Sequence, residues 1–368
     1  MRIGTRGSAL ALAQARLVAQ WLGGAEIVVV RTRGDTMHEP PSGGRELPGP
    51  NGTGNGGHGR GLSNGHGASK DQGGRARHEE RSRQEKEEKG SRPERSSRED
   101  KSRWVAELEQ ALLAEEIDLA VHSAKDIPAE LHDGLELLGS PSRAAAEDAL
   151  IGAHSLEQLP EGACVGTSSV RRAAQLRAAR GDLEVVSLRG NVDTRLRKLA
   201  GAVTASGDGS GGSDSSLHAI VLAKAGLQRL GRERDIGCTL DAAHFVPAPG
   251  QGALGLQARR GDSTVSEAVA PILDKDASAC LLAERALAHA LGASCNTPLG
   301  AHAAAAGCGC LHMHAWIGLL DGSEWIADEL LGGFYDPAEL GIRMAERLQT
   351  VGARELLARA EELAVERD

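Results

Sequence analysis

Aromatic residues are scarce in this sequence: four Trp, two Phe and one Tyr in 368 residues. Its cores must be packed from aliphatic and small side chains, which make up nearly all of the 40% hydrophobic content. Long apolar runs are also missing. No stretch reaches the roughly 18 residues of a membrane span. The N-terminal MRIGTRGSALALAQARLVAQ is broken by Gln14 and Arg16 before a secretory apolar segment can form. Neither a membrane nor an export route is therefore expected. Six cysteines in a chain this long make no disulfide framework, so the expected compartment is a reducing cytoplasm. A positive net charge is absent too. The 42 Lys and Arg against 51 Asp and Glu give −9, which argues against a general nucleic-acid binder. Lysine is rare: eight residues, against 34 arginines. Arginine suits bidentate recognition of carboxylates and phosphates, but a genomic preference for Arg codons gives the same bias. Only position can separate the two.

Residues 38–103 stand apart. They contain no Val, Ile, Phe, Tyr or Trp, only Leu47 and Leu62 of the large aliphatics, and 14 glycines. Such a segment cannot bury enough apolar surface to offset its ordering entropy, so it reads as a disordered insertion. Residues 205–216 read as a smaller flexible loop. The remainder alternates strand and helix. Strands are expected at 27–31, 117–121, 163–165, 184–188 and 219–223. Helices are expected at 104–116, 170–180, 192–200 and after 223. This alternation predicts parallel sheets and an α/β architecture. After Pro271 the pattern changes to a helix, a hairpin with Asp321-Gly322 at its turn, and one long helix over 337–366. That end reads as a separate small α+β domain.

Several segments carry residue types with chemistry. In GTSSVRR, residues 166–172, a strand runs into glycine and three hydroxyls where a helix begins. Helix N-termini hold anions through free N–H groups and the dipole. Thr167, Ser168 and Ser169 add donors there, and Arg171 and Arg172 add charge. Taken alone, the segment also reads as an ordinary Ser cap with solvated arginines. In SLRGNVDTR, residues 187–195, Arg189 ends a strand and Arg195 lies about a turn into the next helix. Ligands of open α/β sheets bind beyond the carboxyl ends of strands, so the two turns can converge on one anion. Arg6 and Ser8 offer a third turn of this kind. In HSAKDIP, residues 122–128, Lys125 adjoins Asp126. A carboxylate among cations stays ionised. It can stabilise a cationic intermediate or manage protons on nitrogen, or it can be a plain turn residue. Cys295, in the small-residue loop GASCNTPLG, is open as a nucleophile or an attachment point. Cys308, Cys310, His312 and His314 alternate and would share one strand face. Spacings of nearly 7 Å between neighbours on that face are too long for four residues to chelate one zinc, so no metal site is expected.

The segments RIGTRGSALALAQA, TRGD, ELEQALL, DLAVHSAKDIP, VGTSSVRRAAQL, SLRGNVDTRLRKL, AIVLAKAGLQRLG, PAPGQGALGLQARR and ERALAHALGASCNTPLG follow one another along the chain. Together they resemble the hydroxymethylbilane synthase, or porphobilinogen deaminase, family. The resemblance implies two periplasmic-binding-protein-like lobes with parallel-rich sheets and a small α+β C-terminal domain. The corresponding boundaries are 1–141 with 247–270, 142–246 and 271–368. It implies a monomeric transferase that joins four porphobilinogen molecules head to tail, releasing ammonia, in tetrapyrrole biosynthesis. No nucleic-acid or membrane partner is implied. It also implies a dipyrromethane cofactor linked through Cys295 and a catalytic Asp126. Arg6, Arg171, Arg172, Arg189 and Arg195 match the family's carboxylate-binding arginines. Ser8, Ser123, Lys125, Thr167, Ser168 and Ser169 match its polar cleft residues. One departure is the lid, where the family's GGKGLF reads EDKSRW. Lys101 and Trp104 keep a cation and an aromatic, but the glycines are gone and the preceding loop is about 50 residues longer. Lid loops gate turnover. Two other readings were open at this level: a carboxylate-binding module without catalysis, and an impaired relative.

Overall fold

The computed structural model describes residues 1–30, 97–205, 217–294, 296–307 and 309–365, with backbone alone at 97–104, 202–205 and 364–365. The insertion expected at 38–103 lies outside the described residues as far as 96, as does most of the loop at 205–216. From Ser97 the backbone is helical, so the helix expected from 104 starts earlier. No Gly or Pro in SREDKSR stops propagation back from the amphipathic part.

The first elements are β1 (Arg2–Thr5), α1 (Ala9–Trp21), β2 (Glu26–Val29), α2 (Ser97–Leu113), β3 (Leu119–Ser123) and β4 (Leu135–Gly139). The chain then forms β5 (Asp148–Ile151), β6 (Cys164–Gly166), α3 (Val170–Ala179), β7 (Glu184–Val186), α4 (Val192–Ala205), β8 (Ala219–Ala223), α5 (Lys224–Arg229) and β9 (Cys238–Leu240). Next come β10 (Leu254–Arg259), α6 (Ser263–Val269) and α7 (Lys275–Ala290). The end is built from β11 (Leu299–Ala305), β12 (Cys310–Gly318), β13 (Trp325–Gly333), α8 (Pro337–Thr350) and α9 (Ala353–Val365).

Two five-stranded sheets share one design. Their orders are β2-β1-β3-β10-β4 and β7-β6-β8-β5-β9. In each, the first three strands are parallel and the fourth is antiparallel to both its neighbours. The reversed strand of each sheet is reached by leaving the other sheet. The chain therefore crosses twice between them, from β4 to β5 and from β9 to β10. Strand–helix alternation showed five of the six parallel strands and missed β1, which opens the chain. The reversed strands have no alternation of their own and were not legible.

Both sheets are buried on both faces, so their strands read as continuous apolar runs. Ile3, Leu119, Val121, Leu254 and Leu256 pack under α1 and α6. Leu108 and Leu112 of α2 cover the opposite face beside Ala120 and Leu135. In the second sheet Leu150, Val165 and Val221 face Leu176 of α3, while Ile151, Ile220 and Leu222 face Leu196 and Leu199 of α4. Each such aliphatic side chain contributes about 1.5–3 kcal/mol on burial.

The third sheet is antiparallel, ordered β11-β12-β13. Its inner face packs Leu311, Met313 and Ile317 against α7, α8 and α9. The expected hairpin is present and gains β11, whose LGAHAAA has little strand propensity. The single helix expected at 337–366 is two helices. Gly352, at φ +99°, takes the left-handed conformation that ends the first.

Candidate functional site

Between the first two sheets lies a cleft lined by Gln14 of α1, Ser123 and Lys125 at the end of β3, Arg229 of α5, and Gly250 and Gly252 of the β9–β10 crossover. Ser123 and Lys125 follow the rule that strand carboxyl ends and the turns after them face the ligand side of an α/β sheet. Ala124–Asp126 form one 3-10 turn directly after β3, which sets Asp126 at that edge. Gly250 lies at φ +73°. A Cβ there would sit 3.0 Å from the Ala124 carbonyl carbon and the Lys125 nitrogen, so only glycine lets the crossover abut this turn. Arg285 of α7 fixes the chain beyond Asp126 by donating to the carbonyls of Ile127, Pro128 and Ala129.

A buried charge network lies behind the cleft, joined to it through Lys125. Asp148 at the start of β5 is fully buried and pairs with Arg171 Nη2 and Arg172 Nη2, both at 2.7 Å. Burial alone would push the Asp148 carboxyl up. The two guanidiniums and their hydrogen bonds outweigh it and hold the group well below the usual carboxylate range. Gln251 donates to Asp148 Oδ1 at 2.8 Å. Its Oε1 accepts from Arg172 Nη2 at 3.2 Å and from Lys125 Nζ at 3.3 Å. One glutamine side chain thus links the turn bearing Asp126 to the helix α3.

Two arginines against one carboxylate leave this network positive. Arg195 lies in the same field: burial, with the charge of Arg172, brings its pKa down to about 10. It donates to Ser168 Oγ and the Gly190 carbonyl, both at 2.8 Å, so the GTSS and RGN turns do meet. Arg229 is likewise brought to about 10 by burial and donates to the Gly252 carbonyl at 2.7 Å. It has no carboxylate partner among the described residues. Cations held in a partly dry cleft beside other cations are suited to a ligand carrying several carboxylates.

The expected residues fall as follows. Ser8 caps α1 by accepting from the Ala11 N–H, and Ser123 Oγ accepts from Gln14 Nε2 at 2.8 Å. Arg6 follows β1 and acts electrostatically on His122. Thr167 is buried and accepts from the Ser169 N–H, while Ser169 caps α3. Ser168 is exposed. Arg171 and Arg172 are buried on Asp148 rather than displayed at the surface. Arg189 is exposed on the loop after β7. Cys295 lies outside the described residues, and so do the side chains of Lys101 and Trp104. On either side of position 295, Thr297 Oγ1 accepts from the Ser294 N–H at 2.9 Å.

Four groups escaped the sequence reading: Asp148, Gln251, Arg229 and His122. An acid opening the apolar run DALI, next to Glu147, was a signal for Asp148. The others carried none, because their roles depend on which strands are neighbours. His122 is buried against Gln257 Oε1 at 3.0 Å. Burial lowers its pKa to about 4, leaving it neutral behind the Asp126 turn.

The chain matches the family described as porphobilinogen deaminase, dipyromethane cofactor binding domain, over residues 1–43 and 86–267. It matches the porphobilinogen deaminase C-terminal domain over residues 278–350. It is 45% identical over 261 residues to a porphobilinogen deaminase of Roseiflexus castenholzii, covering 70% of this chain and 81% of that one. The porphobilinogen deaminase of Deinococcus deserti is 44% identical over 269 residues, covering 72% and 82%. Among solved structures, the periplasmic VFT2 domain of Bordetella pertussis BvgS is a weak match. It shows 17% identity over 45% of this chain and 64% of that chain, with a TM-score of 0.25.

Proposed function

Because the chain belongs to the porphobilinogen deaminase family, we propose the cleft between its first two sheets as the place where four porphobilinogen molecules are joined. The protein is a transferase that condenses them head to tail into hydroxymethylbilane and releases ammonia at each step, in tetrapyrrole biosynthesis. One observation carries the siting. Behind the cleft Arg171 and Arg172 outnumber the single buried Asp148 and Arg195 lies in the field of Arg172, while Arg229 lines the cleft; neither Arg195 nor Arg229 has a carboxylate partner among the described residues. Each substrate brings an acetate and a propionate, so the growing chain is a polyanion that such a cleft accommodates.

The same arrangement fits a dipyrromethane, whose two rings carry four carboxylates. Arg195, Arg172 and Arg229, with Thr167, Ser168 and Ser169 at the start of α3, would hold it. Arg6, Ser8, Ser123, Lys125 and Arg189 complete the set for it and for the substrate. When bound, it supplies the pyrrole end to which the first substrate is joined. Cys295 is proposed as its thioether attachment. Among the described cysteines, Cys164 and Cys238 have thiols raised by burial, and Cys280 is pushed up to about 11 by burial and Glu284. Thiols so raised are poor nucleophiles at neutral pH.

Asp126 is the proposed catalytic residue. Loss of ammonia from the aminomethyl pyrrole of the substrate leaves a cation delocalised over that ring and its nitrogen. A fixed carboxylate near the pyrrole N–H favours that cation over the neutral ground state. The turn that carries Asp126 is held from three sides, by Gly250, Gln251 and Arg285, so the carboxylate needs little reorganisation as charge develops. Neutral His122 behind it adds no competing positive charge. The reading includes a cytoplasmic monomer with domains at 1–141 with 247–270, 142–246 and 271–368. No helix among the described residues is long and apolar enough to cross a membrane.

Intact-mass measurement tests the cofactor assignment. Chain purified from cells supplying porphobilinogen is expected to carry a dipyrromethane increment, and Cys295→Ala to lose both increment and activity. An unmodified, active wild-type chain would overturn it.

A further inference from the structure

The outer face of the C-terminal sheet carries a cluster that the deaminase reading does not use. His312 and His314 point outward from β12, with Leu311 and Met313 buried on the inner face. Glu329 of β13 lies directly opposite His314 in the strand register. It is diagonal to His312, within cross-strand reach of a long side chain. Spacing along a strand argues against chelation by alternate residues, but that argument concerns Cα positions. Here the two rings tilt together, with centroids 4.3 Å apart. The third group comes from the neighbouring strand, which the spacing argument could not include.

The separations are informative. Glu329 Oε2 stands 3.3 Å from His312 Nε2 and 3.6 Å from His314 Nδ1. The two nitrogens and the carboxylate oxygen all lie within 4.8 Å of one another. Zinc bonds of 2.0–2.2 Å in a tetrahedron place ligand atoms about 3.4 Å apart along each edge. The two oxygen–nitrogen distances bracket that edge, and both are longer than an ordinary charged hydrogen bond. His302, the register partner of His314 on β11, is not part of the set. Its Nδ1 lies 3.7 Å from Glu284 of α7. The Glu329 side chain is 67% exposed, so a fourth position faces water.

We propose that His312, His314 and Glu329 form a site for a divalent transition ion of the zinc class, with water as the fourth ligand. Two imidazoles and one carboxylate suit zinc over magnesium or calcium, which prefer all-oxygen shells. The ion would tie the edge strand β13 to β12 and is independent of the deaminase cleft.

The test uses the full-length protein, loaded with cofactor, after chelator treatment. Calorimetric titration with zinc chloride is expected to show one site per chain. His314→Ala and the isosteric Glu329→Gln should each weaken it by at least about 100-fold, since even outer-shell partners of metal ligands are worth 10–100-fold. Glu329 is exposed, so Glu329→Gln keeps the fold and serves as the control for misfolding. Cobalt substitution should give tetrahedral visible bands without thiolate charge transfer. Absence of stoichiometric binding, unchanged affinity in Glu329→Gln, or a thiolate band placing the ion on cysteine would each overturn the proposal.

Discussion

Asp126 and Arg229 show how single residues divide the work of the cleft. Asp126 sits on a turn with no freedom to withdraw, between Lys125, bonded to Gln251, and a chain end held by Arg285. Asp126→Asn preserves shape and removes charge. Its kcat is expected to fall at least about 100-fold, the scale of a lost electrostatic group, with the melting temperature unchanged. Turnover near the wild-type rate would refute the role. Arg229 contributes charge without a carboxylate partner among the described residues. Arg229→Met keeps its apolar stem. Hydrogen bonds to charged groups are worth about 1.5–3 kcal/mol, so KM for porphobilinogen, or cofactor occupancy, should worsen about 10–100-fold. Steady-state kinetics and intact mass together read this, and unchanged values in both would remove Arg229 from the binding set.

Among the elements, the two crossovers and α7 act as one joint. Gly252, at φ +87°, lets them touch: a Cβ there would lie 2.4 Å from the Ala144 carbonyl oxygen. Glu284 of α7 is fully buried. It accepts from Arg143 of the first crossover at 2.7 and 3.1 Å, from the Gly250 N–H of the second at 2.6 Å, and from the Ala303 N–H of β11 at 2.7 Å. Burial favours its neutral form, but Arg143 and His302 overcome this and keep its pKa below the ordinary value. Asp148 is depressed in the same sense. A carboxyl depressed in the folded state leaves the unfolded state binding more protons just below pH 4. The stabilisation is complete above about pH 5 and lost as pH falls through and below the ordinary carboxylate range. Asp148→Asn should show a shallower acid dependence in urea unfolding between pH 3 and 7. At neutral pH it should be less stable by about 3–5 kcal/mol, since two buried guanidiniums lose their partner. An acid profile identical to wild type would exclude Asp148 as a source of that dependence.

At the scale of the whole molecule, helices among the described residues pack all three sheets. Its first two sheets are buried on both faces by α1 to α6, and the third sheet on its inner face by α7 to α9. The insertion has almost no aliphatic or aromatic side chains with which to add to that core. Replacing 40–94 by a short Gly/Ser linker, with α2 left intact from Ser97, should shift the melting temperature by less than about 3 °C, roughly 1 kcal/mol for a chain this size. Activity should persist. A larger fall would show that the segment contributes packing that its composition does not suggest.

The sequence by itself determined the alternating elements, the small C-terminal unit and the nine ordered segments that carry the family resemblance. Apolar period, cap residues and motif order are all local properties. It also determined that GTSS and RGN each end a strand and open a helix, since both follow short apolar runs; that the two strands are neighbours came from the sheet order. Tertiary structure alone decided that each sheet borrows a reversed strand. It also decided that Arg171 and Arg172 turn inward onto Asp148, and that Gln251 bridges to Lys125. Those pairs are separated by 23 to 126 positions in the chain. Their partners are fixed by strand order, which no local window contains. The convergence of His312, His314 and Glu329 has the same origin. Two of the groups share a strand and could be read together, but the third becomes their neighbour only through the register of β12 with β13.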